Sequence, residues 1–93
     1  TFASQILYAV GNRPISLQVN DINGDTHPDL VVANFGSDNI GVLTNLGNGT
    51  FEEPSTYGTG SSPHAVFITD INQDHRPDLL VTNFAVNSFG VFY

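Results

Sequence analysis

Two stretches of the chain carry oxygen-bearing side chains at alternating positions. The first is Asp21-Ile22-Asn23-Gly24-Asp25-Thr26-His27-Pro28-Asp29-Leu30, and the second is Asp70-Ile71-Asn72-Gln73-Asp74-His75-Arg76-Pro77-Asp78-Leu79. Loop positions 1, 3, 5 and 9 are Asp or Asn in both: Asp21, Asn23, Asp25 and Asp29, then Asp70, Asn72, Asp74 and Asp78. Alternate residues of a tightly curled loop can point to one centre. Position 7, His27 or Arg76, can add its backbone carbonyl. That assembles the hard oxygen cage that Ca2+ takes, whereas Mg2+ demands stricter octahedral geometry and more water. Thiophilic metals lack their ligands in a chain without Cys. The sequence therefore predicts two Ca2+ per chain. Carboxylates so close together repel, and a cation cancels that repulsion. Two plainer readings compete. Asp and Asn are ordinary turn residues, so the loops could be solvated turns. Paired carboxylates can also do acid–base work. Two loops in identical register, each running into an apolar segment with no nucleophile beside it, favour ligation.

The rest of the composition narrows the field. In 93 residues there are 2 Lys+Arg and 9 Asp+Glu, giving a formal charge of −7. Only Arg13 and Arg76 could meet a phosphate, which excludes a nucleic-acid partner and an anionic membrane surface. Without Cys there is no disulfide framework and no zinc–thiolate site. No apolar run reaches the length of a membrane span, so neither membrane insertion nor a signal peptide is expected. The first residue is Thr1, which reads as a processed product or an excised piece. At 40% hydrophobic residues the chain should fold. Its core will be small, and a metal or a partner chain commonly adds stability at this size. Six of the nine carboxylates lie in the two loops, so two Ca2+ would raise the formal charge from −7 to −3.

The elements that must position these loops are themselves repeated. Sliding the chain by 49 positions sets residues 1–44 on residues 50–93, and 17 of the 44 pairs are identical without a gap. Punctuating Gly, Pro and Asp fall in register throughout. The chain thus divides into a first repeat, residues 1–49, and a second, residues 50–93, that lacks its last five positions. Each repeat reads as short strands between turn signals: 16–19 and 65–68 after a Gly-x-x-Pro turn, 30–33 and 79–82, then 40–44 and 89–93. Asn45-Leu46-Gly47-Asn48-Gly49 reads as a tight hairpin connection into a fourth strand at 51–57, matched by residues 2–8. No segment carries a capped 3.6-residue period. Four short strands per repeat of this length fit a propeller blade; a sandwich would not need the echo.

The D-x-N-x-D-x-x-x-D-L loop, followed by Val31-Val32-Ala33-Asn34-Phe35 and by Gly41-Val42-Leu43-Thr44-Asn45-Leu46-Gly47-Asn48-Gly49-Thr50-Phe51, resembles the FG-GAP/VCBS repeat of integrin-α-like β-propellers. The resemblance spans the chain twice. It implies an all-β fold of four-stranded antiparallel blades, two per chain, with the loop joining the innermost strand of a blade to the second. It implies one Ca2+ per loop, held by Asp21, Asn23, Asp25, His27 and Asp29, and by Asp70, Asn72, Asp74, Arg76 and Asp78. His27 and Arg76 would serve through backbone oxygen. The family often has Gly at loop position 6, where this chain has Thr26 and His75, and Gln73 stands where the first loop has Gly24.

In the family's strand order, residues 2–8 are the outer strand of a preceding blade. One whole blade follows, then three strands of another. Open edges are pairing templates, so the expected partner is the chain itself. Each N-terminal strand would complete a neighbour's last blade, head to tail, in a homo-trimer of six blades or a homo-tetramer of eight.

Phe35 and Phe84 are expected between blades, with an aromatic sugar platform as the alternative. Phe89, Phe92 and Tyr93 are expected to be buried as Ile40, Leu43 and Thr44 are. His27, His64 and His75 share no metal-ligand spacing, and Asn48-Gly49-Thr50 is a glycosylation sequon. The leading functional reading is a non-enzymatic, calcium-stabilised module for extracellular or cell-surface binding or adhesion, with a protein or glycan ligand. A carbohydrate-binding propeller and an excised fragment without independent function are the alternatives.

Overall fold

A computed structural model describes residues 4–93. Seven strands follow in order: β1 Pro14–Asn20, β2 Asp29–Asn34, β3 Asn39–Leu43, β4 Ser55–Gly58, β5 Pro63–Thr69, β6 Asp78–Asn83 and β7 Ser88–Phe92. They form two antiparallel sheets, β1-β2-β3-β4 and β5-β6-β7. The chain is all-β, as expected, with blade-like sheets of four and three strands.

Local chemistry explains these elements. Proline opens β1 and β5, where a strand tolerates the missing N–H. The aliphatic runs Leu30-Val31-Val32-Ala33 and Leu79-Leu80-Val81 build the middle strands; β2 is covered on both faces, whereas β6 buries Leu79 and Val81 on one face and leaves Thr82 exposed on the other. A single 3-10 turn links β2 to β3 and another links β6 to β7. Each ends on a left-handed residue, Asp38 (φ 52°) or Asn87 (φ 47°). Asp and Asn are the side chains that tolerate this region best.

The two sheets share one register at an offset of 49. Leu17 pairs with Val32 as Val66 pairs with Val81, and Leu30 pairs with Leu43 as Leu79 pairs with Phe92. A register shift recurs at Pro14/Ser16 and Pro63/Ala65. The core lies between the blades. Val31 and Ile40 of the first sheet meet Val66, Leu79 and Val81 of the second, with Ile22, Val42, Ile68 and Phe92 around them. Each full burial of such a side chain contributes about 1.5–3 kcal/mol. Among the described residues no helix is long and apolar enough to cross a membrane.

Three expectations change. Of the strand expected at 2–8, residues 2 and 3 lie outside the described residues, and residues 4–8 form no strand. The fourth strand is shorter than 51–57: it is β4, and Phe51 makes only a single bridge with Asn45. Phe89 and Tyr93 are exposed rather than buried. Their counterparts Ile40 and Thr44 are covered because the second blade packs over that face of the first. Among the described residues, nothing packs so on the second.

Candidate metal centres

Both acidic loops connect the first strand of a blade to its second, β1 to β2 and β5 to β6. Asp21, Asp25 and Asp29 bring one oxygen each to within 4.8 Å of one another, and so do Asp70, Asp74 and Asp78. Two oxygens bound to one Ca2+ at 2.3–2.6 Å can be at most about 5 Å apart, so each triad fits a single ion. The donor set is hard oxygen throughout. Each triad could hold a metal ion such as Ca2+.

The loops fold around their own carboxylates. Asp21 Oδ1 accepts from the N–H of Gly24 (2.9 Å) and Asp25 (3.2 Å), and its Oδ2 accepts from Thr26 N–H at 2.8 Å. Asp25 Oδ1 accepts from His27 N–H, and Asn23 Oδ1 from Asp25 N–H. The second loop repeats the pattern: Asp70 accepts from Asp74 and His75, Asn72 from Asp74, and Asp74 from Arg76. Desolvation pushes the Asp21 carboxyl up, but the N–H donors of Thr26, Gly24 and Asp25 pull it down and prevail. Asp21 therefore stays ionised below the ordinary carboxylate range, ready to take a cation.

The ninth residue anchors each loop to its sheet. Asp29 is 1% exposed, and its Oδ2 accepts from Ile22 N–H (2.9 Å). Its Oδ1 accepts from Asn45 N–H (2.8 Å), beyond β3. Among the described residues Asp78, also 1% exposed, accepts only from Ile71 N–H (2.9 Å), and its Oδ1 is buried without a partner. The counterpart of Asn45 falls after Tyr93, the last residue of the sequence. Asn45 is a residue that sequence reasoning missed. Its side chain also donates to Pro28 O at 2.9 Å, tying the hairpin to the loop. Nothing in the 49-residue echo could mark it, because its counterpart is not in the sequence.

Loop position 6 adopts the conformation that glycine favours. Thr26 has φ 70° and His75 φ 67°, with Gly24 at 79° and Gln73 at 61° two positions earlier. A β-branched residue with positive φ is strained. Thr26→Gly is expected to stabilise the chain by about 1 kcal/mol in urea unfolding, since the left-handed region costs a non-glycine residue roughly 1–2 kcal/mol.

Among the other residues singled out, His27 reaches over the hairpin, where a Cβ on Gly47 would meet its Nε2 at 3.0 Å. Arg76 and His75 line a cleft against Ile22, Asn23 and Gly24 of the first loop. Phe35 and Phe84 of the two blades have ring centroids 6.5 Å apart, and His64 lies 5.7 Å from Phe84, but Phe84 is 68% exposed rather than packed between the blades. Asn34 and Asn83 are buried.

The FG-GAP-like repeat pattern matches residues 1–81. The chain belongs to the FG-GAP-like repeat family. No curated protein and no solved structure matches it. The blade-like sheets and the acidic loop between first and second strands are thus the FG-GAP-like repeat as it occurs here, with the Asp triads in the position expected from the sequence.

Proposed function

We propose that this FG-GAP-like chain is a calcium-stabilised β-propeller module, non-enzymatic, that presents its loops for binding or adhesion outside the cell. The observation that carries the reading is the convergence of three carboxylates in the same place on each blade. Asn23, Asn72 and the backbone oxygens of His27 and Arg76 complete the two oxygen sets. The ion joins the ends of the first and second strands, so its role is structural. Weak sites of this kind fill at the millimolar calcium found outside cells. The ligand of the module is a protein or a glycan.

Calorimetric titration of the chelator-treated chain with Ca2+ is expected to give two ions per chain, and Ca2+ is expected to raise the melting temperature. The paired substitution Asp25→Asn and Asp74→Asn removes both effects while keeping the fold, because these side chains are exposed and bond only within their loops. No heat of binding, together with a melting temperature indifferent to chelator, would overturn the reading.

A further inference from the structure

The junction between the two blades is a template, and both of its halves recur without a partner strand among the described residues. At the junction, the N–H of Thr59 donates to Asp38 O (3.0 Å) and the N–H of Ser62 to Asp38 Oδ1 (2.7 Å). β4 pairs with β3 as Asn39↔Gly58, Ile40↔Tyr57, Gly41↔Thr56 and Val42↔Ser55. Ile40 enters the core, and Tyr57 lies edge-on to Phe92 of the next blade at 6.3 Å.

The accepting half recurs on the second blade. Asn87 (φ 47°, ψ 45°) repeats the backbone of Asp38 (φ 52°, ψ 41°). β7 repeats β3, but its outer edge has no strand beside it among the described residues. Phe89 occupies the Ile40 position, yet it is 67% exposed where Ile40 is 0%. The donating half recurs before the first blade. Arg13 (φ 49°) repeats the turn of Ser62 (φ 58°). Residues 6–9 stand where β4 stands. Tyr8 already lies beside Leu43, the counterpart of Phe92, and lines an apolar cleft with Val10, Leu17, Leu30 and Val32.

We infer that a second copy of this chain occupies that cleft. Its β7 edge pairs antiparallel with the 6–9 arm as Ser88↔Ala9, Phe89↔Tyr8, Gly90↔Leu7 and Val91↔Ile6. Phe89 and Val91 of the incoming copy fill the cleft. The N–H groups of Val10 and Arg13 donate to Asn87 O and Oδ1 of that copy. The occupant is a copy of this chain because cleft, register and turn geometry all repeat an interface the chain already makes with itself. An unpaired strand edge seeks such a partner. The contact is heterologous, so repetition yields a ring or an open array according to the rotation per step. The inference rests on the propeller reading above and names its partner.

The test uses two single-cysteine chains, Leu7→Cys and Gly90→Cys, in a protein with no other thiol. Leu7 is exposed, and a Cβ on Gly90 meets nothing within 4 Å, so both variants should fold. Mixed under mild oxidation, they are expected to give the crosslinked heterodimer as the main product. Sedimentation of the unmodified chain is expected to give a multimer, and Phe89→Asp a folded monomer. The overturning result is a chain that sediments as a monomer at its highest soluble concentration, with native strand circular dichroism, and gives no heterodimer. That result would point to a different occupant. The calcium-dependent melting shift is read in the same samples, so failure of the ion sites and failure of the docking are told apart.

Discussion

In the presence of chelator, Asp29→Ala is expected to lower the unfolding free energy by about 2–5 kcal/mol, and Asp78→Ala by only about 1–3 kcal/mol. The two residues are equivalent in sequence and equally buried. They differ in what they hold. Asp29 accepts from two main-chain N–H groups, Ile22 and Asn45, whereas Asp78 accepts only from Ile71. Truncation strands each partly buried donor, and an unsatisfied donor costs about 1–3 kcal/mol. Chelator removes the metal from both sides of the comparison, so the difference reports the Asn45 bond together with the unpaired Oδ1 that Asp78→Ala removes. Asp29→Asn keeps a carbonyl oxygen that can accept one of the two bonds and should fall between wild type and alanine. Urea unfolding followed by circular dichroism reads all three. Equal losses for Asp29→Ala and Asp78→Ala would show that Asn45 contributes nothing to the anchor.

That asymmetry marks where sequence reasoning stopped. The first three strands of each blade were legible because each is a largely apolar run bounded by Pro, Asp or Gly, and the echo at 49 gives each of them twice; the fourth, Ser55-Thr56-Tyr57-Gly58, carries no such run and has no second copy among the described strands. The carboxylate triads were legible because loop spacing alone brings alternate residues to one centre. The Asn45 bond was not, because it joins residues 16 positions apart through a main-chain donor that any residue type could supply. The same holds for Asp38, whose main-chain and side-chain oxygens fix the turn before β5. Residues 6–9 and Phe89 fail differently. Their counterparts are β4, which has β3 beside it, and Ile40, which has the second blade over it; among the described residues, residues 6–9 have no strand beside them and Phe89 no blade over it. Thr26 and His75 show a fold overriding local preference: the triad geometry holds both at positive φ despite their side chains.

Gly11 and Gly60, the first residues of the two Gly-x-x-Pro turns, give the second large effect. Neither needs positive φ, so on backbone grounds alanine should be neutral or helpful, by about 0.4–1 kcal/mol through the unfolded chain. Close approach reverses the sign. A Cβ on Gly11 would lie 2.8 Å from Asn34 Cγ and 2.9 Å from Ser37 Oγ. A Cβ on Gly60 would lie 2.9 Å from Asn83 Nδ2. Asn34 cannot swing away, because it is fully buried and its Nδ2 donates to Asn39 Oδ1 at 2.9 Å, across the end of the β2–β3 pair. Its Oδ1 has no partner, so this single bond holds the amide. Displacing it costs the bond and the packing together, and overpacking a filled site typically costs about 1–3 kcal/mol. Gly11→Ala is therefore expected to lower the melting temperature by roughly 10 °C, on the scaling of about 4–8 °C per kcal/mol for a domain this small. Gly60→Ala should fall by a similar amount, since the Nδ2 of Asn83 makes the matching bond to Ser88 Oγ. Gly58→Ala, where a Cβ meets nothing within 4 Å, should leave the melting temperature unchanged. If all three behave alike, the recurring Gly serves the turn backbone only; if Gly11 and Gly60 fall and Gly58 holds, the Gly over Asn is the contact that seats each blade's first strand.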